Sequence, residues 1–171
     1  MRYASALFAL ALTVAAPAAA QTADPQLELL DRMTGHWVLR GVIAKKQTTH
    51  DIDVAWVLNK EYVQIHEVSR EKDAQGRPAY DAIIYIAWNP KLGEYSCLWL
   101  DNTATWDFKA TGIGHAKPAA DRIALRFQDP DGGIDRTTFA YDRKAGSWSW
   151  TIDSESKGKT TRFADVKLTR E

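Results

Sequence analysis

From Asp24 to Thr34 the apolar residues Leu27, Leu29, Leu30 and Met33 recur mostly at three- and four-residue spacings, the period of one helical face. Asp24 and Pro25 suit the N-cap and first helical position, and Gly35 stops the pattern, so the spacing predicts one short amphipathic helix. Beyond it the period changes to two. Trp37, Leu39, Gly41 and Ile43 share one face of a strand opposite His36, Val38, Arg40 and Val42. Ile52, Val54, Trp56 and Leu58 repeat the alternation opposite Asp51, Asp53, Ala55 and Val57. Further strands fit 61–70, 80–88, 94–100, 103–111, 112–117, 122–128, 135–142, 147–152 and 160–170. Segment 80–88 is apolar on both faces, which predicts cover on both sides. Asn59-Lys60, 73–78, 89–93, 129–133 and 143–146 carry the turn residues between strands.

This order has no internal repeat and no linker. It predicts an all-β fold of roughly ten antiparallel strands in hairpin sequence with one short N-terminal helix. A sheet of that width is expected to close, because closure removes edges that would recruit other chains. The expectation is an up-and-down barrel with a helical plug, wide enough inside for packed side chains or one small ligand. A cone-shaped helix-plus-sheet fold would want several N-terminal helices, and the chain offers one.

The first twenty residues stand outside this pattern. Arg2, an apolar run from Ala4 to Ala16, Pro17 and the small residues Ala18 to Ala20 have the layout of a secretory signal peptide with cleavage after Ala20. The run is too short to cross roughly 30 Å of hydrocarbon. The domain reading is therefore a signal peptide at 1–20 and one barrel domain at 21–171, exported across the inner membrane to the periplasm or beyond, with no integral membrane segment after cleavage. In that oxidising setting a lone Cys97 cannot form an internal disulfide and reads as a small buried hydrophobe.

Composition adds two points. The 22 Lys and Arg balance 22 Asp and Glu, which gives no reason to expect a nucleic-acid partner. Seven Trp, six Tyr and five Phe in 171 residues suit a large core or an aromatic-lined cavity.

Candidate chemistry is sparse. His36, His50, His66 and His115 have no zinc-site spacing, so no metal or other cofactor is expected. The 129–133 segment lacks the ligand spacing and closing Glu of a calcium loop, and no nucleophile elbow or phosphate-cradling loop occurs. The tryptophans are more informative. Trp37, Trp56, Trp88, Trp99, Trp148 and Trp150 all lie on parities able to face inward. A binding site for a small hydrophobic or amphipathic molecule would then have Trp56, Trp88, Trp99 and Trp150 as its apolar wall and Tyr95 and Arg162 as polar anchors. His66 joins this set on an open parity. The rival readings are a solidly packed barrel acting as an interaction module, and an isomerase or hydrolase using His66 or Asp101 as a base, whose catalytic set the sequence leaves unknown.

Gly35-His36-Trp37, opening the first strand after a short helix, resembles the Gly-x-Trp signature of the calycin superfamily, which includes lipocalins and fatty-acid-binding proteins. The resemblance implies that an Arg near the end of the last strand covers this Trp, making Arg170 the partner of Trp37 ahead of Arg162, as a barrel-closing contact. The stretch from Tyr85 to Asn102 is similar to an uncharacterised family of secreted bacterial proteins with such a barrel, with Asn89 where that family has Asp and Trp88 where Tyr is common. That family implies the lipocalin-like barrel and no reaction. Haem-binding calycin relatives carry alternating glycines after the Trp and a C-terminal axial His; here Val38-Leu39-Arg40-Gly41 follows Trp37 and no His follows His115.

Overall fold

A computed structural model describes residues 24–103, 112–128 and 132–171. The proposed signal peptide, most of the strand expected over 103–111, and residues 129–131 of a predicted turn lie outside them. Helix α1 (Pro25–Met33) precedes ten strands: β1 (Gly35–Ile43), β2 (Lys46–Val57), β3 (Tyr62–Ser69), β4 (Asp81–Asn89), β5 (Glu94–Asp101), β6 (Ile113–Ala116), β7 (Arg122–Gln128), β8 (Ile134–Asp142), β9 (Ser147–Ser156) and β10 (Lys159–Thr169). Each pairs antiparallel with its sequence neighbour, and β1 pairs with β10 to close the barrel. This all-β architecture is compatible with a calycin-like fold.

Period-two patterning decides which side chains point in. Leu39, Ile52, Val54, Val63, Ile65, Ile84, Ile86, Ile123 and Leu125 are all buried. On β4 the alternation is cleaner than the apolar run suggested, and this corrects the expectation of cover on both sides. Ala82, Ile84 and Ile86 are buried, while Ile83, Tyr85 and Ala87 are half-exposed, because among the described residues no second layer packs over that outer face.

The helix plugs one end. Asp24 caps it by accepting from the Gln26 N–H at 2.8 Å, and Leu29, Leu30 and Met33 enter the barrel core. Aromatic groups from the strands then hold it in place. The Trp37 indole donates to the Met33 carbonyl (2.7 Å), Trp148 to the Arg32 carbonyl (3.4 Å), Trp56 to Asp31 (3.0 Å) and Trp88 to Asp24 (2.8 Å), while the Tyr95 hydroxyl donates to Gln26 Oε1 (2.8 Å). Each bond satisfies a polar group carried by a large apolar ring, so the rings can sit deep without stranding a donor.

Near the other end β10 carries a bulge between Arg162 and Ala164. The extra residue resets the alternation: Ala164, Val166 and Leu168 are buried, yet Arg162 faces solvent. There it pairs with Asp153 and Asp165.

Candidate functional site

The end of the barrel away from the helix is hollow. A cavity of about 1060 Å³ opens there, between the β1–β2 hairpin end, the connection from β3 to β4 and the stretches of β9 and β10 around Ser154 and Phe163. One wall is apolar, formed by Leu39, Trp99, Phe127, Trp150, Ile152 and Val166. Its indoles pack on one another. Trp99 and Trp150 lie 5.4 Å apart between ring centroids, and Phe139 backs Trp150 at 4.6 Å.

The facing wall is polar, built from consecutive inward positions of β2 and β3. His50 continues the inward series of Ile52 and Val54, and Glu67 continues that of Val63 and Ile65. His50 Nδ1 lies 2.5 Å from Glu67 Oε1, and the two side chains are only 5% and 2% exposed. His50 Nε2 lies 2.8 Å from Thr48 Oγ1, and that hydroxyl donates to Glu71 Oε2 at 2.9 Å.

The directions of these bonds follow from proton counting. Partial burial works against the charge on Glu71, but bonds from its own backbone and from Thr48, Thr49 and Ser69 outweigh it and hold the carboxyl below its usual range. Glu71 is then an acceptor only, and the single Thr48 proton goes to it. Thr48 Oγ1 accordingly accepts from His50 Nε2–H. One proton remains for the His50–Glu67 contact, so the pair is neutral as a unit wherever that proton sits. Burial pushes the Glu67 carboxyl up, opposed by its bond to His50, with the nearby Asp101 charge adding to the rise. Its second oxygen, Oε2, is buried and has no hydrogen-bond partner among the described residues.

Tyr80 and Asp101 complete this wall. The Tyr80 ring stacks on His50 with centroids 5.8 Å apart, its hydroxyl accepts from the Trp99 indole at 3.0 Å, and it donates to Asp101 Oδ2 at 3.4 Å. Burial, together with the charges of Glu67 and Asp101, pushes the Tyr80 phenol well above its ordinary range, so it stays protonated. Asp101 Oδ1 accepts from both the backbone N–H and the hydroxyl of Thr103. Across the cavity the Trp150 indole N–H is buried and unpartnered among the described residues.

Of the residues singled out from sequence, Trp99 and Trp150 line this cavity. Trp56, Trp88 and Tyr95 are on the helix side, committed to Asp31, Asp24 and Gln26. Arg162 points outward because of the bulge, and His66 points outward opposite Glu67, 3.0 Å from Asp81 and about 40% exposed. Trp37 and Arg170 are together at the plugged end, with the guanidinium carbon 4.1 Å from the indole centroid. Cys97 is buried in the core, and burial raises its thiol, so no reactive thiolate stands there. Among the described residues, no three His, Cys, Asp or Glu side chains are grouped to hold a metal ion, and no helix is long and apolar enough to cross a membrane.

Sequence reasoning placed Tyr80 on the inward parity of the tryptophans, where it lines the cavity, but missed Thr48, His50 and Glu67 as site residues. The signal was present for two of them. Carrying the β2 alternation upstream of Asp51 reaches His50 and then Thr48, because β2 starts at Lys46.

No family model and no curated protein matches this chain. The reading of the cavity therefore rests on its own geometry.

Proposed function

We propose that this chain is an exported calycin-like barrel, periplasmic or secreted, that reversibly binds one small hydrophobic or amphipathic molecule in its open-ended cavity. The observation that carries this reading is the 1060 Å³ void between an apolar aromatic wall and a polar wall. Small-molecule sites have volumes of roughly 300–1,000 Å³ and combine mostly apolar lining with a few placed polar groups. The unpartnered Trp150 N–H and Glu67 Oε2 support it further, since buried polar atoms are normally satisfied and a ligand or ordered water is what such atoms await. Export rests on the leader-like pattern of residues 1–20.

The same geometry favours binding over an isomerase or hydrolase. His50 Nε2–H is engaged by Thr48, Asp101 accepts from Tyr80 and Thr103, and His66 is on the outside of the barrel. Neither histidine presents a free base to the cavity, and the Asp101 carboxylate is already held by Tyr80 and Thr103.

Native mass spectrometry of the mature protein taken from its own host's periplasm, paired with denaturing extraction, tests the reading. A stoichiometric small molecule released on denaturation is expected. A bare mass from the host, together with no binding of the neutral probe N-phenyl-1-naphthylamine, would overturn it.

A further inference from the structure

Resting on the carrier reading, we infer that the polar group of the ligand is a cation, an ammonium or amidinium on an apolar body. The charges around the cavity carry this. Among the described residues that line it, the ionic side chains that are buried or half-buried are Asp101, Asp135 and the His50–Glu67 pair. Lys46, Glu71 and Lys72 are exposed at the rim, and no arginine contributes to the lining among the described residues. Glu67 and His50 share one proton and cancel. Asp101 and Asp135 remain, and neither has a Lys or Arg nitrogen within 4 Å among the described residues. An anionic head group entering this space would lose its water and meet carboxylates. A cationic one would meet them as counter-charges.

Two independent features point the same way. Glu67 Oε2 is a buried acceptor without a donor, on a side chain 2% exposed that lines the cavity, and an N–H from the ligand or a water it holds would satisfy it. Across the cavity stand the rings of Trp99, Trp150 and Phe127, and on the polar wall the Tyr80 ring lies beside Asp101. Aromatic faces next to carboxylates are the surroundings that stabilise a desolvated ammonium, through the ring quadrupole as well as through charge.

The test is a titration of the mature protein at neutral pH with decylammonium, decanoate and 1-decanol, followed by tryptophan fluorescence and calorimetry. Their chains match, so the head group alone differs. Decylammonium is expected to bind at least about tenfold more tightly than either of the others, and Asp101→Asn, at a half-exposed position, is expected to shrink that preference to within about threefold of decanol. Equal binding of the three, or tighter binding of decanoate or decanol, would overturn the cation inference and leave the carrier reading standing. Binding of none of them would overturn the carrier reading and this inference with it.

Discussion

The Arg170 guanidinium carbon sits 4.1 Å from the Trp37 ring centroid, and the same guanidinium occupies the space into which a side chain on Gly35 would project. Gly35 has φ +114°, and a β-carbon built there would lie 2.4 Å from Arg170 Nη1. Arg170 also donates to the Thr34 carbonyl at 2.9 Å, which ties the end of β10 to the helix C-cap. The glycine of the Gly-x-Trp motif is thus the space that lets an arginine lie over the tryptophan two residues on.

Gly35→Ala should destabilise the barrel by about 1–3 kcal/mol, through backbone strain and displacement of Arg170. In an Arg170→Ala background the same substitution should cost less, because the clash is gone. Urea unfolding of the double-mutant cycle measures the coupling; simple additivity would show that the arginine does not depend on the glycine.

Ile152→Trp should abolish binding of N-phenyl-1-naphthylamine, since the added ring fills the void beside Trp150. Trp88→Phe and Arg162→Ala should leave its affinity within about twofold, because both positions are away from the cavity. Trp88→Phe should lose about 1 kcal/mol of stability with the indole bond to Asp24. A strong loss of binding on Arg162→Ala, read by probe fluorescence, would contradict the outward course set by the β10 bulge.

His50→Ala should cost about 3–5 kcal/mol, because it strands a buried carboxyl whose second oxygen already lacks a partner. Replacing both His50 and Glu67 with Leu should cost less than His50→Ala alone, since no buried polar group is then left behind. Chemical denaturation of the two variants decides the order.

Stability should depend on pH from both sides. The folded Glu67 carboxyl titrates above its ordinary 4.5, so the native state holds its proton more tightly than the unfolded chain does. Its contribution is therefore greatest below 4.5 and is lost as pH rises through the raised value. Asp51, Asp121 and Glu171 are shifted the other way by hydrogen bonds from Arg70, Arg143 and Arg40. Their contribution is present above the ordinary carboxyl range and is lost as pH falls through the lowered values. Glu67→Gln should flatten the alkaline-going slope and leave the acid limb intact. Thermal melts across pH in wild type and variant would show it; an unchanged upper slope would mean that Glu67 does not titrate in that range.

The sequence by itself determined the elements and their order, because each is a local or short-range property. The helix followed from Asp24, Pro25 and a three-and-four spacing of apolar residues, and the inward face of most strands followed from alternation such as Ile123, Leu125 and Phe127. Closure of β1 on β10 was legible because closing a sheet of this width removes its exposed edges, and the meeting of Trp37 with Arg170 was legible from what the Gly-x-Trp resemblance implies. Only the tertiary structure decided which inward aromatic rings line a void and which hold the plug. Trp88 and Trp99 are on neighbouring strands with the same inward course, yet one is hydrogen-bonded to the helix cap and the other to Tyr80 in the cavity. Period-two patterning fixes the face of a strand and says nothing of height along the barrel axis, which depends on strand register. It also carries no mark of the Phe163 bulge that turns Arg162 outward, nor of the pairing that brings His50, seventeen residues upstream, onto Glu67.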